Sequence, residues 1–97
     1  MPTYITLIKY TTKGIENIKE SPARLAAAKE AAEAAGGKFI SFYLTMGQYD
    51  AVSIGEWPDD KAAAMFSLAT GSKGNVQTET LKAFTEDEYR EIISALP

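Results

Sequence analysis

The sequence predicts an α+β domain in which a four-stranded antiparallel sheet carries two crossover helices and is followed by a further, C-terminal helix. Four segments are rich in β-branched and aromatic residues, which favour strands. Between them, alanine-rich or capped segments are bounded by proline and glycine, which is typical of helices. The chain has 97 residues, so we expect a single domain spanning residues 1–97.

The first predicted strand covers residues 3–11, and residues 15–20 fit a short helical turn. Ser21 and Pro22 then suit the N-cap and first position of a helix, because proline has no N–H to leave unpaired there. Alanine-rich residues 23–35 continue this helix to Gly36-Gly37, which favours its end.

A β-hairpin is predicted next, with strands at residues 38–45 and 50–57 around a turn at 46–49. Pro58 ends the second of these strands. The first is almost free of charge, and in a split β-α-β arrangement it lies on an edge of the sheet. We therefore expect this edge to be paired or covered.

The last third of the chain repeats the pattern. Asp59 is placed to cap a helix through about residue 70, which Gly71 would end, and residues 75–84 fit a fourth strand. Thr85 and Glu88 form a T-x-x-E capping box that predicts a closing helix at 86–95. The complete order, β-α-β-β-α-β plus a terminal helix, is that of a ferredoxin-like domain.

Alternation along the strands separates two faces of the sheet. The more apolar set is expected to lie under the helices: Ile5, Leu7, Ile40, Phe42, Leu44, Val52, Ile54 and Leu81. The second set carries aromatic rings and hydroxyls but almost no charge: Tyr4, Thr6, Ile8, Tyr10, Phe39, Ser41, Tyr43, Thr45, Ala51, Ser53, Gly55, Val76, Thr78 and Thr80. A solvent-exposed face normally carries charged residues, so this face is expected to be covered. A second copy of the sheet is the simplest cover and predicts a homodimer; the alternative is that helix 86–95 folds over it.

Composition excludes several classes of function. Ten basic and 13 acidic residues give a net charge of −3, so nucleic acid is not an expected partner. No apolar run is long enough to span a bilayer, and the N-terminus does not resemble a signal peptide, so we predict a cytoplasmic protein without membrane contact. The chain has no cysteine and no histidine, so we expect neither a metal site nor a cofactor.

The turn Gly47-Gln48-Tyr49-Asp50 resembles the signature of the GYD domain family. The segments 4–14, 21–24, 35–38 and 74–85 resemble the same family, so the likeness covers nearly the whole chain. Membership implies a dimeric α+β barrel, in which two ferredoxin-like sheets pack face to face. The family carries no assigned activity, so the resemblance leaves function open.

Two groups of residues are candidates for a site. Tyr49 and Asp50 would rim a pocket at the end of the sheet, where a carboxylate beside a phenol can orient a ligand hydroxyl. Alternatively Gly47 supplies a special backbone shape, Asp50 binds backbone N–H groups and Tyr49 packs over the sheet. Tyr4, Tyr10 and Tyr43 would line a ligand cavity on the second face or, alternatively, pack in the dimer.

These residues support two main functional hypotheses. The first is a non-catalytic homodimer that binds itself and a small apolar or aromatic molecule. The alternative is a cofactor-independent oxygenase- or isomerase-like enzyme in the cavity between the sheets, and a third interpretation is a structural subunit of a larger assembly. The absence of histidine favours the non-enzymatic hypothesis, because histidine is the commonest general base.

Overall fold

The computed structural model describes all 97 residues and has the predicted order of elements. The elements are β1 (Thr3–Tyr10), α1 (Thr12–Glu16), α2 (Ser21–Ala34), β2 (Lys38–Leu44), β3 (Ala51–Glu56), α3 (Asp60–Ser72), β4 (Val76–Ala83) and α4 (Glu86–Ser94). A short 3₁₀ turn, Ile18–Glu20, joins α1 and α2. The four strands form one antiparallel sheet in the order β2-β3-β1-β4, so the ferredoxin-like prediction is confirmed, with β2 on an edge.

Two helix ends differ from the prediction. Ser21 is not an N-cap, because its backbone is already helical and its N–H donates to the carbonyl of Ile18 in the preceding 3₁₀ turn. Gly71 does not end α3, which continues to Ser72; the positive φ, +81°, lies at Gly74. In both cases the neighbouring turn, rather than the single residue, decides where the helix begins or ends.

The prediction of which sheet face lies under the helices was wrong. Tyr4 is buried with Ala32 of α2 and Ala63 of α3, so its face is the covered one. The hydroxyl of Thr80 also lies 3.1 Å from that of Ser67 on α3. Ile5 belongs to the opposite face, which no helix covers, with its cross-strand partners Ile54 and Leu81.

A β-bulge between Phe39 and Ser41 explains why β2 departs from strict alternation. The bulge shifts the register by one residue, so that Phe42 pairs with Ser53 and lines the helix side. Tyr43 pairs with Val52 and therefore shares the uncovered face. The sequence grouped Phe42 with Ile5 and Tyr43 with Tyr4, because it assumed an unbroken strand. The bulge exchanges these groups, so Phe42 lies under the helices and Tyr43 does not, as predicted for these two residues, although their predicted neighbours lie on the other face.

The packed core occupies one end of the covered face. It contains Tyr4, Ala32, Trp57 and Ala63, with the ring of Phe66 centred 4.8 Å from that of Trp57. The alanines let the helices approach the sheet, and the aromatic rings fill the space that remains.

Helix α4 begins at the predicted capping box, in which the Thr85 hydroxyl and the Glu88 carboxylate each accept from the other residue's N–H. None of its residues is buried. It does not fold over the uncovered sheet face, contrary to the alternative considered from sequence. Whereas α2 packs on β2 and α3 packs on β4, α4 packs extensively on no other element.

The molecule measures 52 × 31 × 18 Å. None of its helices combines the length and hydropathy needed to cross a bilayer.

Candidate functional site

The β2–β3 turn is held by a short set of backbone contacts. Gly47 has φ +133°, a conformation that residues with a Cβ rarely adopt. The Thr45 N–H donates to the Asp50 carbonyl at 2.9 Å, and the Thr45 hydroxyl donates to the Tyr49 carbonyl at 2.7 Å. These bonds fix the direction in which Tyr49 and Asp50 leave the turn.

Asp50 contacts β1 through both backbone and side chain. Its N–H donates to the carbonyl of Ile8 at 2.8 Å, and its carboxylate accepts from the N–H of Tyr10 at 2.9 Å. The carboxylate thus acts as a backbone acceptor that extends the pairing between β1 and β3.

Tyr49 contacts β1 and β4 on the uncovered side of the sheet. Its hydroxyl donates to the Glu79 carboxylate at 2.6 Å, and the Lys9 ammonium lies 5.4 Å from the ring centroid. The hydrogen bond to Glu79 raises the pKa of Tyr49 above its ordinary value. The phenol is therefore protonated at neutral pH and serves as a hydrogen-bond donor.

Tyr4 joins a second polar cluster at the other end of the sheet. Its hydroxyl donates to Asp60, whose carboxylate also lies 3.2 Å from the Lys82 ammonium. The bond to Asp60 raises the pKa of Tyr4 to about 12. Conversely, the bond from Tyr4, followed by that from Lys82, lowers the pKa of Asp60. The cluster ties the first turn of α3 to β1 and β4.

Asp59 and Asp60 are neighbours in the chain but have different roles. Only Asp59 caps α3, accepting from the N–H of Ala62 at 2.8 Å. The role of Asp60 depends on β1 and β4, which are distant in sequence. No cluster of three or more carboxylates is placed to hold a metal ion.

The three tyrosines proposed as a common ligand site are not brought together. Tyr4 lies in the core and Tyr10 on the helix side, with its hydroxyl 3.4 Å from that of Ser21. Tyr43 is on the uncovered face and 59% exposed. The bulge in β2 separates Tyr43 from the other two.

Beyond the core, α2 and α3 leave an opening above the sheet. This helix–sheet cleft has a volume of about 270 Å³ and is lined mainly by apolar atoms. Its walls include Ile8, Phe42, Phe66 and Val76, together with alanines and hydroxyls, while Arg24 and Lys73 contribute the two cations. The sequence predicted a ligand cavity on this hydroxyl-rich row, and Tyr10 does line the cleft, but it did not predict that the helices form the other wall. The signal was the pairing of alanine-rich helices with a face of small hydroxyl residues, which cannot fill the interface.

Two apolar surfaces are exposed. The open face, defined by Ile5, Leu7, Val52, Ile54 and Leu81, lies on the side of the sheet away from α2 and α3. Its four β1 and β3 members are half-buried, whereas Leu81 is 42% exposed. The α4 stripe, defined by Tyr89, Ile92 and Ile93 of the helix together with Leu96 just beyond its end, is exposed throughout.

Comparisons with known proteins add family information. A family model described as the GYD domain matches residues 4–93. A protein of Thermus thermophilus named "Glutamine synthetase and cystathionine beta-lyase binding protein" is 33% identical over 84 residues, which cover 86% of this chain and 88% of the relative. No solved structure is a match.

Proposed function

This chain belongs to the GYD domain family, and from that premise we propose that it is a non-catalytic, homodimeric protein-binding module. Two copies bury their open faces against each other. The dimer then holds a partner protein through surfaces that remain exposed. We place this module in the cytoplasm, as the sequence predicts.

The proposal of a homodimer rests on the open face of the sheet. Ile5, Ile54 and Leu81 are direct cross-strand neighbours, so their side chains form a continuous apolar row across three strands. Exposed contiguous apolar surface on a small domain marks an interaction site. A two-fold axis makes the same row complementary to itself, which suits a second copy of the sheet.

The α4 stripe supports a second contact, with a different protein. A nine-residue helix is marginal in water by itself, and α4 has no buried residue to stabilise it within its own chain. Tyr89, Ile92 and Ile93 follow an i, i+3, i+4 spacing on the helix, and Leu96 follows just beyond its end, which suits insertion into a hydrophobic groove. We propose that the partner protein supplies this groove.

The relative from Thermus thermophilus suggests what kind of protein the partner is. Its printed name describes binding to glutamine synthetase and cystathionine beta-lyase, and it matches most of this chain. We therefore propose that this chain binds enzymes of these two kinds. The polar groups of the β2–β3 turn support a binding role over catalysis, since Asp50 is bound to β1 backbone and Tyr49 to Glu79.

The homodimer is tested by light scattering coupled to size-exclusion chromatography. Ile54→Lys puts a charge into the proposed contact twice per dimer, and we expect the dissociation constant to rise at least about a hundredfold. Ala64→Lys adds the same charge on the exposed side of α3 and should leave the dimer intact. A wild-type monomer at micromolar concentration, or equal effects of the two variants, contradicts the homodimer.

Partner binding is tested separately by biolayer interferometry with purified glutamine synthetase and cystathionine β-lyase from the same organism. We expect saturable binding of at least one enzyme. Ile93→Asp in the α4 stripe should abolish that binding while the protein stays dimeric, whereas Asp87→Asn on the same helix should not. Absence of binding to both enzymes contradicts this part of the proposal without affecting the homodimer.

A further inference from the structure

We propose that the helix–sheet cleft binds a small amphiphilic anion, whose apolar or aromatic body lies between the helices and the sheet and whose carboxylate meets Arg24 and Lys73. This site lies on the opposite side of the sheet from the open face. It is therefore independent of the homodimer proposed above.

The size and lining of the cleft suit an apolar ligand body. Its volume of about 270 Å³ is far larger than the voids between packed side chains in protein interiors. Alanine side chains of α2 and threonine and serine side chains of the sheet are too small to close it. Phe42, Phe66 and Val76 provide apolar walls, which is the usual lining of a small-molecule site.

The cationic end of the cleft suits a carboxylate. The Arg24 guanidinium donates to the carbonyls of Asn17 at 2.9 Å and Gly14 at 3.4 Å, which holds it in place and leaves three of its five N–H groups. Lys73 makes no ion pair: the salt bridges of the structure join Lys82 to Asp60 and Arg90 to Glu86.

A third cation reinforces this charge. The Lys13 ammonium donates to the carbonyl of Lys73 at 2.9 Å, and Lys13 directly precedes Gly14, whose carbonyl Arg24 binds. Three basic residues are therefore gathered without an acidic partner, in a chain whose net charge is −3. Such a concentration of positive charge at the end of an apolar cleft is complementary to an anion with an apolar body.

Part of the hydroxyl lining of the cleft is already paired. The hydroxyls of Thr6 and Ser67, which line the cleft, lie 3.4 Å and 3.1 Å from the hydroxyl of Thr80, so these two lining groups are satisfied without a ligand. The Tyr10 hydroxyl, 3.4 Å from Ser21, is more weakly engaged. It can donate to the ligand near the cationic end.

The test uses amide NMR spectra of isotope-labelled full-length protein titrated with three carboxylates: phenylbutyrate, hexanoate and indole acetate. Phenylbutanol serves as the uncharged match to phenylbutyrate. We expect saturable shifts at amides around the cleft and an affinity for phenylbutyrate about tenfold higher than for phenylbutanol. Equal affinity of acid and alcohol, shifts confined to other surfaces, or no saturable binding of any carboxylate overturns the proposal.

Two variants and one control test where the ligand binds. Lys73→Gln removes a cation whose ammonium makes no ion pair, and it should weaken phenylbutyrate binding about tenfold with little effect on phenylbutanol. Lys61→Gln, an exposed lysine outside the cleft, is the charge-matched control and should leave both affinities unchanged. Ala28→Leu fills the cleft and should weaken both compounds. Equal effects of Lys73→Gln and Lys61→Gln contradict the placement of the carboxylate.

Discussion

One face of the sheet lies under α2 and α3 and mixes tyrosine, threonine and serine with apolar side chains, whereas the open face is a row of isoleucine, leucine and valine. Thr6 and Leu7 are neighbours on the same strand, yet Thr6 lines the helix–sheet cleft and Leu7 belongs to the open face. The most apolar row of this chain is thus not the one that its own helices cover. Hydrophobicity alone therefore does not identify the inside of a small domain, because an interface between chains needs apolar surface as well.

The largest effect is expected at the packed end of the covered face. Trp57→Ala removes a buried ring that packs against Phe66, and we expect the free energy of unfolding to fall by about 3–5 kcal/mol. Leu81→Ala, on the open face, should lower it only at protein concentrations where the dimer forms. Urea unfolding followed by circular dichroism at two protein concentrations separates these cases. A concentration-independent loss of similar size at Leu81 would contradict the contrast between the faces.

A smaller effect on the free energy of unfolding is expected at Gly37, whose backbone lies against the core residue Trp57. A Cβ at Gly37 would lie 2.7 Å from the ring of Trp57, so Gly37→Ala should destabilise the protein by about 1–3 kcal/mol. Gly71 lies within α3 with no atom near its missing Cβ, so Gly71→Ala should stabilise the protein by up to about 1 kcal/mol. Thermal and urea unfolding measure both. The same sign for both variants would show that the space around Gly37 is not limiting.

The polar cluster of Tyr4, Asp60 and Lys82 predicts that the free energy of unfolding falls at acidic pH. The pKa of Asp60 is lowered from 3.8 when the chain folds, so unfolding takes up a proton at pH values between the folded-state pKa and 3.8. The stabilisation is complete well above pH 3.8 and is lost as the pH falls through the folded-state pKa. Asp60→Asn should flatten the acid limb of a stability-against-pH curve, and an unchanged limb would contradict this assignment.

Tyr4 predicts a corresponding loss of stability at alkaline pH. Its pKa rises from 10.0 to about 12 in the folded protein, so its contribution to stability is complete below pH 10.0 and is lost as the pH rises toward about 12. Absorbance of the ionised phenol should show Tyr4→Phe removing a late-titrating group. A late-titrating absorbance that is unchanged in Tyr4→Phe would contradict this assignment.

The smallest effect on global stability is expected in α4. Thr85→Ala removes the N-cap hydroxyl, which is worth about 0.5–2 kcal/mol to the helix itself. Because α4 has no buried residue, we expect the global free energy of unfolding to change by less than about 0.5 kcal/mol, while amide exchange in α4 accelerates. A global loss equal to the local one would show that α4 is coupled to the sheet.

Local signals predicted the elements of the fold well. The capping box at Thr85 and Glu88 and the cap at Asp59 depend on residues three positions apart, and both are present. The strand order also follows from the sequence of elements. Ser21 failed as an N-cap because the preceding 3₁₀ turn had already paired its N–H.

The candidate sites were less accessible to sequence reasoning. The turn holding Gly47, Tyr49 and Asp50 was identified, but the partner of Tyr49, Glu79, comes from a strand thirty residues away. The contact of Asp60 with Tyr4 likewise joins residues 56 positions apart. Arg24 and Lys73 line one cleft only because α2 and α3 lie on the same side of the sheet.

The elements, their order and the presence of one apolar and one hydroxyl-rich row along the strands are predictable from sequence, because these features depend on neighbouring residues and on the two-residue period of a strand. Which row lies under the helices depends instead on how the whole chain packs. Alternation is symmetric with respect to the two sides of a strand, and one bulge at β2 is enough to move Phe42 and Tyr43 across. The placement of the helices on one side breaks that symmetry, and with it decides which surface becomes core, which becomes cleft and which is left open.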